Sequence, residues 1–150
     1  MYAKILVPLD GSEHAIRALR VAAALARDGK ATLHLMTVAG SPPDSVGLFV
    51  GGSADPFSEE EREQMAQAMR DKARKVIDQA RSLIDLDGLD VKESVSQGHP
   101  AEQIKKQAAT IDADVIVMGS RGLGNVRGMM FGSVSHKVSH IAGCGVITVT

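Results

Sequence analysis

Two hydrophobic rhythms alternate along this chain. The first is a short, continuous apolar run. Lys4-Ile5-Leu6-Val7-Pro8-Leu9, Ala31 to Val38 (ATLHLMTV), Asp114 to Met118 and the closing Val146 to Thr150 are of this kind. Such runs suit strands covered on both faces, as in a parallel sheet. The second rhythm repeats every three or four residues, as in helices with one buried face. Ile16, Leu19, Ala23 and Ala26 define a helix from Glu13 to about Arg27, capped by Ser12 and ended by Asp28-Gly29. Ser58-Glu59-Glu60-Glu61 reads as a capping box. The long helix it opens runs to about Ile84, with Met65, Met69, Ala73, Val76, Ala80 and Leu83 as its inner stripe. Pro100 opens a third helix whose inner face is Ile104, Ala108 and Ile111. Gly132-Ser133 opens a fourth, with Val134, Val138 and Ile141 inside. Leu89 to Ser96 instead alternates apolar and polar residues, as a half-exposed edge strand does.

The resulting order is β α β, a loop, then α β α β α β. Alternation of this kind predicts an α/β fold, a five-stranded parallel sheet with helices on both faces. Neither an internal repeat nor a linker divides the 150 residues, so one domain, 1–150, is expected. Residues 40 to 57 hold four Gly, three Pro and three Ser. They read as a long loop, either a mobile crossover or, through Leu48-Phe49-Val50, a flap over the site or a partner.

Composition narrows the function. The formal net charge is −1, aromatic residues make up 3%, and tryptophan is absent. A nucleic-acid surface would want a basic field and stacking rings, so none is expected. The lone Cys144 excludes an internal disulfide and suits a reducing compartment. The chain enters a strand almost at once, with no signal peptide, and has no apolar stretch near the roughly 18 residues of a membrane span. A cytoplasmic location is expected. His14, His34, His99, His136 and His140 show no metal-binding spacing; His136 and His140 stand four apart on a helix but lack a third ligand.

The candidate chemistry lies in Met118 to Val134, MGSRGLGNVRGMMFGSV, with glycines at 119, 122, 124, 128 and 132. The layout is strand, glycine-rich loop, helix. Glycines allow φ > 0 and close backbone approach, and a helix N-terminus presents unpaired N–H groups with partial positive charge. Together they form a phosphate site; equally, the glycines can serve tight turns alone. Ser133 can cap the helix, touch a phosphate oxygen, or do both. Two familiar phosphate loops are excluded. Gly119 and Gly124 have P-loop spacing, but Asn125-Val126 replace Lys-Ser/Thr. Gly122-x-Gly124 begins a dinucleotide fingerprint, but Arg127 takes the place of its third glycine. In open parallel sheets, ligands bind beyond the carboxyl ends of strands where the strand order reverses. Taking the order as 3-2-1-4-5, that point joins Pro8-Leu9-Asp10 to Met118-Gly119. Asp10 there either accepts a hydrogen bond from a ribose hydroxyl or base amino group, or fixes its own turn through an Asx bond.

The pattern Gly119-x2-Gly122-x9-Gly132-Ser133, after a strand ending Met-Gly-Ser, resembles the ATP-binding signature of the universal stress protein (UspA-type) family. The similarity extends to ILVPLDGSEHAIRAL, LHLMTV, the Gly98-x-Pro100-x-x-x-Ile104 segment, ADVIVMGSRGLGNVRGMMFGSVSHKV and the final strand, and so covers the chain. The resemblance implies an adenine nucleotide alpha hydrolase-like sheet. It implies adenine and ribose near Pro8, Leu9, Asp10 and Leu35, and ribose and phosphates near Met118, Gly119, Gly122, Gly132, Ser133 and Val134. It further implies bound ATP, with a divalent ion such as Mg beside its phosphates, and a homodimer through the final strand, Gly145 to Thr150. The chain departs from the family at Gly145, where proline usually follows Cys144, at His136, and in the bulk of Arg127, Met129 and Met130.

Three functions compete. A nucleotide-binding regulatory module would use ATP to stabilise its dimer or set its partner. A slow ATPase or nucleotidyl-transfer enzyme would lose turnover, not binding, in Asp10→Ala or Arg121→Ala. A ligand-free stress-response dimer would show no thermal shift with any nucleotide. The loop has no evident general base or phosphate-site lysine, which argues against fast turnover.

Overall fold

In a computed structural model, which describes residues 1–41, 57–123 and 132–150, the expected elements appear in the expected order. They are β1 (Lys4–Pro8), α1 (Glu13–Gly29), β2 (Thr32–Ala39), α2 (Glu59–Leu83), β3 (Val91–Gln97), α3 (Pro100–Ile111), β4 (Val115–Gly119), α4 (Ser133–Ile141) and β5 (Gly145–Val149). The readings placed on Leu48-Phe49-Val50 and on Gly124, Arg127, Gly128, Met129 and Met130 lie outside the described residues.

The sheet is parallel throughout, in the order β3-β2-β1-β4-β5. The chain first steps from β1 through β2 to β3, then crosses back to β4 and β5. Right-handed crossovers in opposite directions put their helices on opposite faces. Two apolar layers result. Ile5, Val7, Leu33, Leu35, Val115 and Val117 face α1 and α2, while Leu6, Met36, Ile116 and Met118 face α3 and α4. This is why β1 reads as a continuous apolar run: Ile5, Leu6 and Val7 are all fully buried, but alternate between the layers. Burying each such side chain contributes about 1.5–3 kcal/mol.

The helices keep their expected caps, with three corrections. Ser12 caps α1, and the capping box of Ser58 and Glu61 is complete. However, α1 runs on through Gly29, and the left-handed residue that closes it is Lys30, at φ 55°. A Cβ on Gly29 would stand 3.1 Å from the Met1 side chain, which is exposed and can move aside. The inner stripe of α2 is Ala66, Ala73, Ile77 and Ala80. Met65, Met69 and Val76 are half-buried, and Leu83 is 65% exposed. Small residues let α2 approach β2 closely, so the methionines fall to the margin. The chain then turns inward at Ile84 and Leu86, which leaves Leu83 outside. Finally, the N-cap of α4 is Gly132, and Ser133 is its first helical residue.

Two polar details bear on stability. Asp114 accepts the N–H groups of Ala3 and Lys4 at 2.8 and 2.9 Å, tying the start of β1 to β4. Those N–H bonds hold its carboxyl below the usual value. A depressed carboxyl stabilises the fold above its unfolded pKa, and that contribution is lost as pH falls through the folded value. We expect urea midpoints to fall below about pH 4, and to fall less steeply in Asp114→Asn. Identical acid limbs would show that Asp114 contributes nothing. Thr37 poses the opposite case: it is buried, and its hydroxyl has no hydrogen-bond partner among the described residues. Thr37→Val keeps the shape and removes the unsatisfied group, so we expect stabilisation of about 1 kcal/mol in urea unfolding. A loss of stability would mean that the hydroxyl is paired.

Candidate functional site

A cleft of about 250 Å³ opens at the carboxyl ends of β1 and β4, on the side of α3 and α4. This is where the strand order reverses. Of the residues named from sequence, Pro8, Leu9, Asp10, Met118, Gly119, Gly122, Gly132, Ser133 and Val134 line it. Leu35 does not: its side chain is fully buried in the other layer, with α1 and α2. The wall near it is formed by its neighbours Met36 and Val38. Strand alternation explains the difference. Pro8 pairs in register with Met36, so those two share the cleft side while Val7 and Leu35 share the opposite one. Sequence reasoning also passed over Pro100 and Ile104 as site residues, since they join the wall only through the packing of α3. Periodicity within β2 was the signal available for Met36 and Val38.

The cleft has two chemical characters. One side is apolar, made by Pro8, Met36, Val38, Pro100, Ile104 and Met118. The other carries Asp10, Arg121, Gly122, Ser133 and the start of α4. Gly132 gives α4 no side-chain cap. The first turn of a helix carries partial positive charge on its backbone N–H groups, and here it faces the cleft.

Hydrogen bonds fix the geometry around this opening. Ser120, the first residue after β4, is buried and central. Its N–H donates to the Val149 carbonyl at 2.8 Å, and its own carbonyl accepts from the Gly132 N–H and, at 2.8 Å, from the Ser135 hydroxyl. Its hydroxyl lies 3.4 Å from His14 Nδ1. One residue thus ties β5, α4 and α1 together at the foot of the glycine-rich loop. On the other lip, Asp10 does form the Asx turn: its Oδ1 accepts the Ser12 N–H at 2.9 Å and the Ser12 hydroxyl at 2.5 Å.

The glycines act by close approach, not by unusual φ. Among the described residues, positive-φ glycines are Gly11, Gly88 and Gly98, none of them in the loop signature. A Cβ on Gly119 would lie 2.8 Å from the backbone carbon of His14, and one on Gly122 would lie 2.5 Å from Asp10 Oδ2. Gly119 therefore seats α1 against β4, while Gly122 makes room for a carboxylate.

The remaining titratable candidates sit apart from the cleft. His136 and His140 stack edge to face, with ring centroids 4.6 Å apart. No group of three His, Cys, Asp or Glu that could hold a metal occurs among the described residues. Burial lowers the pKa of His34, with Lys92 and Lys4 adding to the effect. Cys144 is half-buried against the α3 and α4 layer, and burial pushes its thiol up. Among the described residues, no helix is long and apolar enough to cross a membrane.

Comparison with known proteins covers the whole molecule. Residues 1–150 match the model of the Universal stress protein family. Over 149 residues the chain is 38% identical to the "Universal stress protein in QAH/OAS sulfhydrylase 3'region" of Thermus aquaticus, spanning 99% of both. It is similar in structure to MJ0577 of Methanocaldococcus jannaschii, with a TM-score of 0.80, 28% identity, and coverage of 99% of this chain and 96% of that one. A universal stress protein solved in complex with cAMP aligns with a TM-score of 0.63 and 26% identity, over 99% of this chain and 97% of the other.

Proposed function

The chain belongs to the universal stress protein family, and from that premise we propose that it is a nucleotide-dependent regulatory module, acting as a homodimer, with an adenine nucleotide such as ATP in the cleft between β1 and β4. One observation carries the reading. An apolar wall, an oriented carboxylate and a helix N-terminus without a side-chain cap converge on a single opening. Their chemistry matches the parts of a nucleotide. Met36, Val38 and Ile104 suit a flat, weakly polar base. The start of α4, with Gly132, Ser133 and Val134, suits phosphate. Asp10 lines the same cleft and, as an acceptor only, suits sugar hydroxyls and not phosphate. The cAMP in the related structure supports the adenine class.

Magnesium fits this site only as the companion of a polyphosphate. Asp10 and Ser133 supply the nearby oxygens, and the ion would otherwise be held by phosphates and water, as Mg²⁺ commonly is. The described lining offers no lysine, so binding, not rapid phosphoryl transfer, is the better account. Dimerisation through Gly145 to Thr150 rests on the position of β5 at the sheet edge, where its outer backbone groups are open to a second copy.

The test is thermal unfolding with AMP, with ATP and with ATP plus Mg²⁺, alongside light scattering for mass. At 100 times its Kd a ligand stabilises the native state by about 2.7 kcal/mol, which moves Tm by roughly 2–4 °C per kcal/mol in a chain of this size. A rise with any of the three supports the proposal. No rise, with no nucleotide released on denaturing the purified protein, overturns it.

A further inference from the structure

We infer that His136 and His140 form a binding site for a divalent transition-metal ion on the exposed face of α4, apart from the cleft and independent of the nucleotide reading.

Both residues are exposed, and their four-residue spacing puts them one above the other on one face of the helix. Their rings already meet, with centroids 4.6 Å apart and planes at 76°. Among the described residues, no hydrogen bond or ion pair engages either ring. An ion that takes a lone pair from each imidazole uses what the fold leaves unpaired. The backbone beneath the pair is fixed. Val138, between them, is fully buried, and Ser135 is buried with its hydroxyl on the Ser120 carbonyl at 2.8 Å. The helix cannot roll without disturbing both, so bringing one nitrogen of each ring to a shared ion costs only side-chain rotation.

Local charge agrees. His140 stands in the last turn of α4, where the helix carries partial negative charge that favours a cation. Lys137 would oppose one, but its ammonium is drawn to Glu102 of α3 at 3.2 Å. Ligand type then selects the ion. Imidazole suits zinc, nickel and copper, whereas Mg²⁺ and Ca²⁺ take oxygen. No third His, Cys, Asp or Glu completes the set among the described residues, so water fills the other positions, as in zinc sites that stay open. The ion is therefore exchangeable, and copper(II) should bind more tightly than zinc. The Mg²⁺ placed beside phosphates is a different ion in a different place.

The experiment is calorimetric titration of CuCl2 and of ZnCl2, each alone, into the untagged, nucleotide-free chain and into His136→Ala, His140→Ala and Cys144→Ser. Circular dichroism checks that each variant is folded, and His136→Gln or His140→Gln replaces an alanine variant that is not. The parent should bind copper more tightly than zinc, and its copper(II) complex should show electron paramagnetic resonance couplings from two nitrogens. Either histidine variant should bind about tenfold or more weakly, because a second linked ligand multiplies affinity. Cys144→Ser should match the parent. If either histidine variant binds as tightly as the parent, or if Cys144→Ser loses the ion, the inference falls. If the parent binds neither ion, it falls as well, and the nucleotide reading is untouched.

Discussion

Gly119→Val should leave this chain without a stable fold, and Gly119→Ala should cost it about 2 kcal/mol or more. A Cβ at this position would stand 2.8 Å from both the carbonyl carbon and the Cβ of His14, and 2.9 Å from the Ala15 nitrogen. These are mostly backbone atoms of the first turn of α1, and no rotamer change relieves the clash. Nor can α1 withdraw. Ser12 caps it, and Ala15, Ala18, Leu19, Ala22, Ala23 and Ala26 bury it against the sheet. Lifting the helix would open the layer that contains Val115 and Val117. Overpacking in a close-packed core costs about 1–3 kcal/mol, and more where backbone must move. Against a total stability of about 5–15 kcal/mol, that is a large share. Urea unfolding of both variants checks this. If Gly119→Ala lies within 0.5 kcal/mol of the parent, on the order of a neutral surface change, the packing argument is wrong.

Three residues on, Gly122→Val should do the reverse, sparing the fold and abolishing the ligand. Here the added Cβ would stand 2.5 Å from Asp10 Oδ2 and 3.7 Å from its Cγ, with no backbone atom of the described residues within 4 Å. Asp10 is an exposed, rotatable side chain, so it can swing aside at a cost of about 1 kcal/mol. Doing so breaks its bonds from Ser12 and leaves a valine where the sugar would lie. We expect affinity for adenine nucleotide to fall about a hundredfold, the cost of losing charge-assisted bonds and gaining a steric block. The measurement is Tm of parent and variant, first without ligand and then with excess nucleotide. An unchanged ligand shift in Gly122→Val would remove the cleft from the binding account. Wholesale unfolding would place Gly122 with Gly119 as a packing residue.

These two glycines look alike in the chain, and nothing local distinguishes them. Both belong to the Gly119-x2-Gly122-x9-Gly132-Ser133 spacing, and both were expected near ribose and phosphates or, alternatively, in tight turns alone. Which atom a missing Cβ would strike depends on residues more than a hundred positions earlier, His14 in α1 for Gly119 and Asp10 after β1 for Gly122. The same holds for Leu35, which strand alternation turns away from the cleft, and for α2, where Ala73 and Ala80 stand inside as expected but Ala66 and Ile77 took the place expected for methionines. It holds for Thr37, whose hydroxyl meets no partner among the described residues, and for Asp114, whose bonds reach back to Ala3 and Lys4.

Sequence alone was enough for the order of elements and the parallel sheet, whereas the place where two loops converge needed the strand order that only the folded sheet supplies. The order and the sheet follow from period, caps and run length, which are properties of neighbouring residues. Continuous apolar runs mean burial on both faces, and the capping box at Ser58 and the proline at position 100 mark helix starts wherever the helices are later placed. The assignment of each side chain to a face, and of each glycine to packing or to the site, had to await the folded chain. Contacts between residues far apart in sequence are set by crossover handedness, register and the depth of helix packing, and a single residue's displacement along a strand or around a helix reverses what its side chain touches.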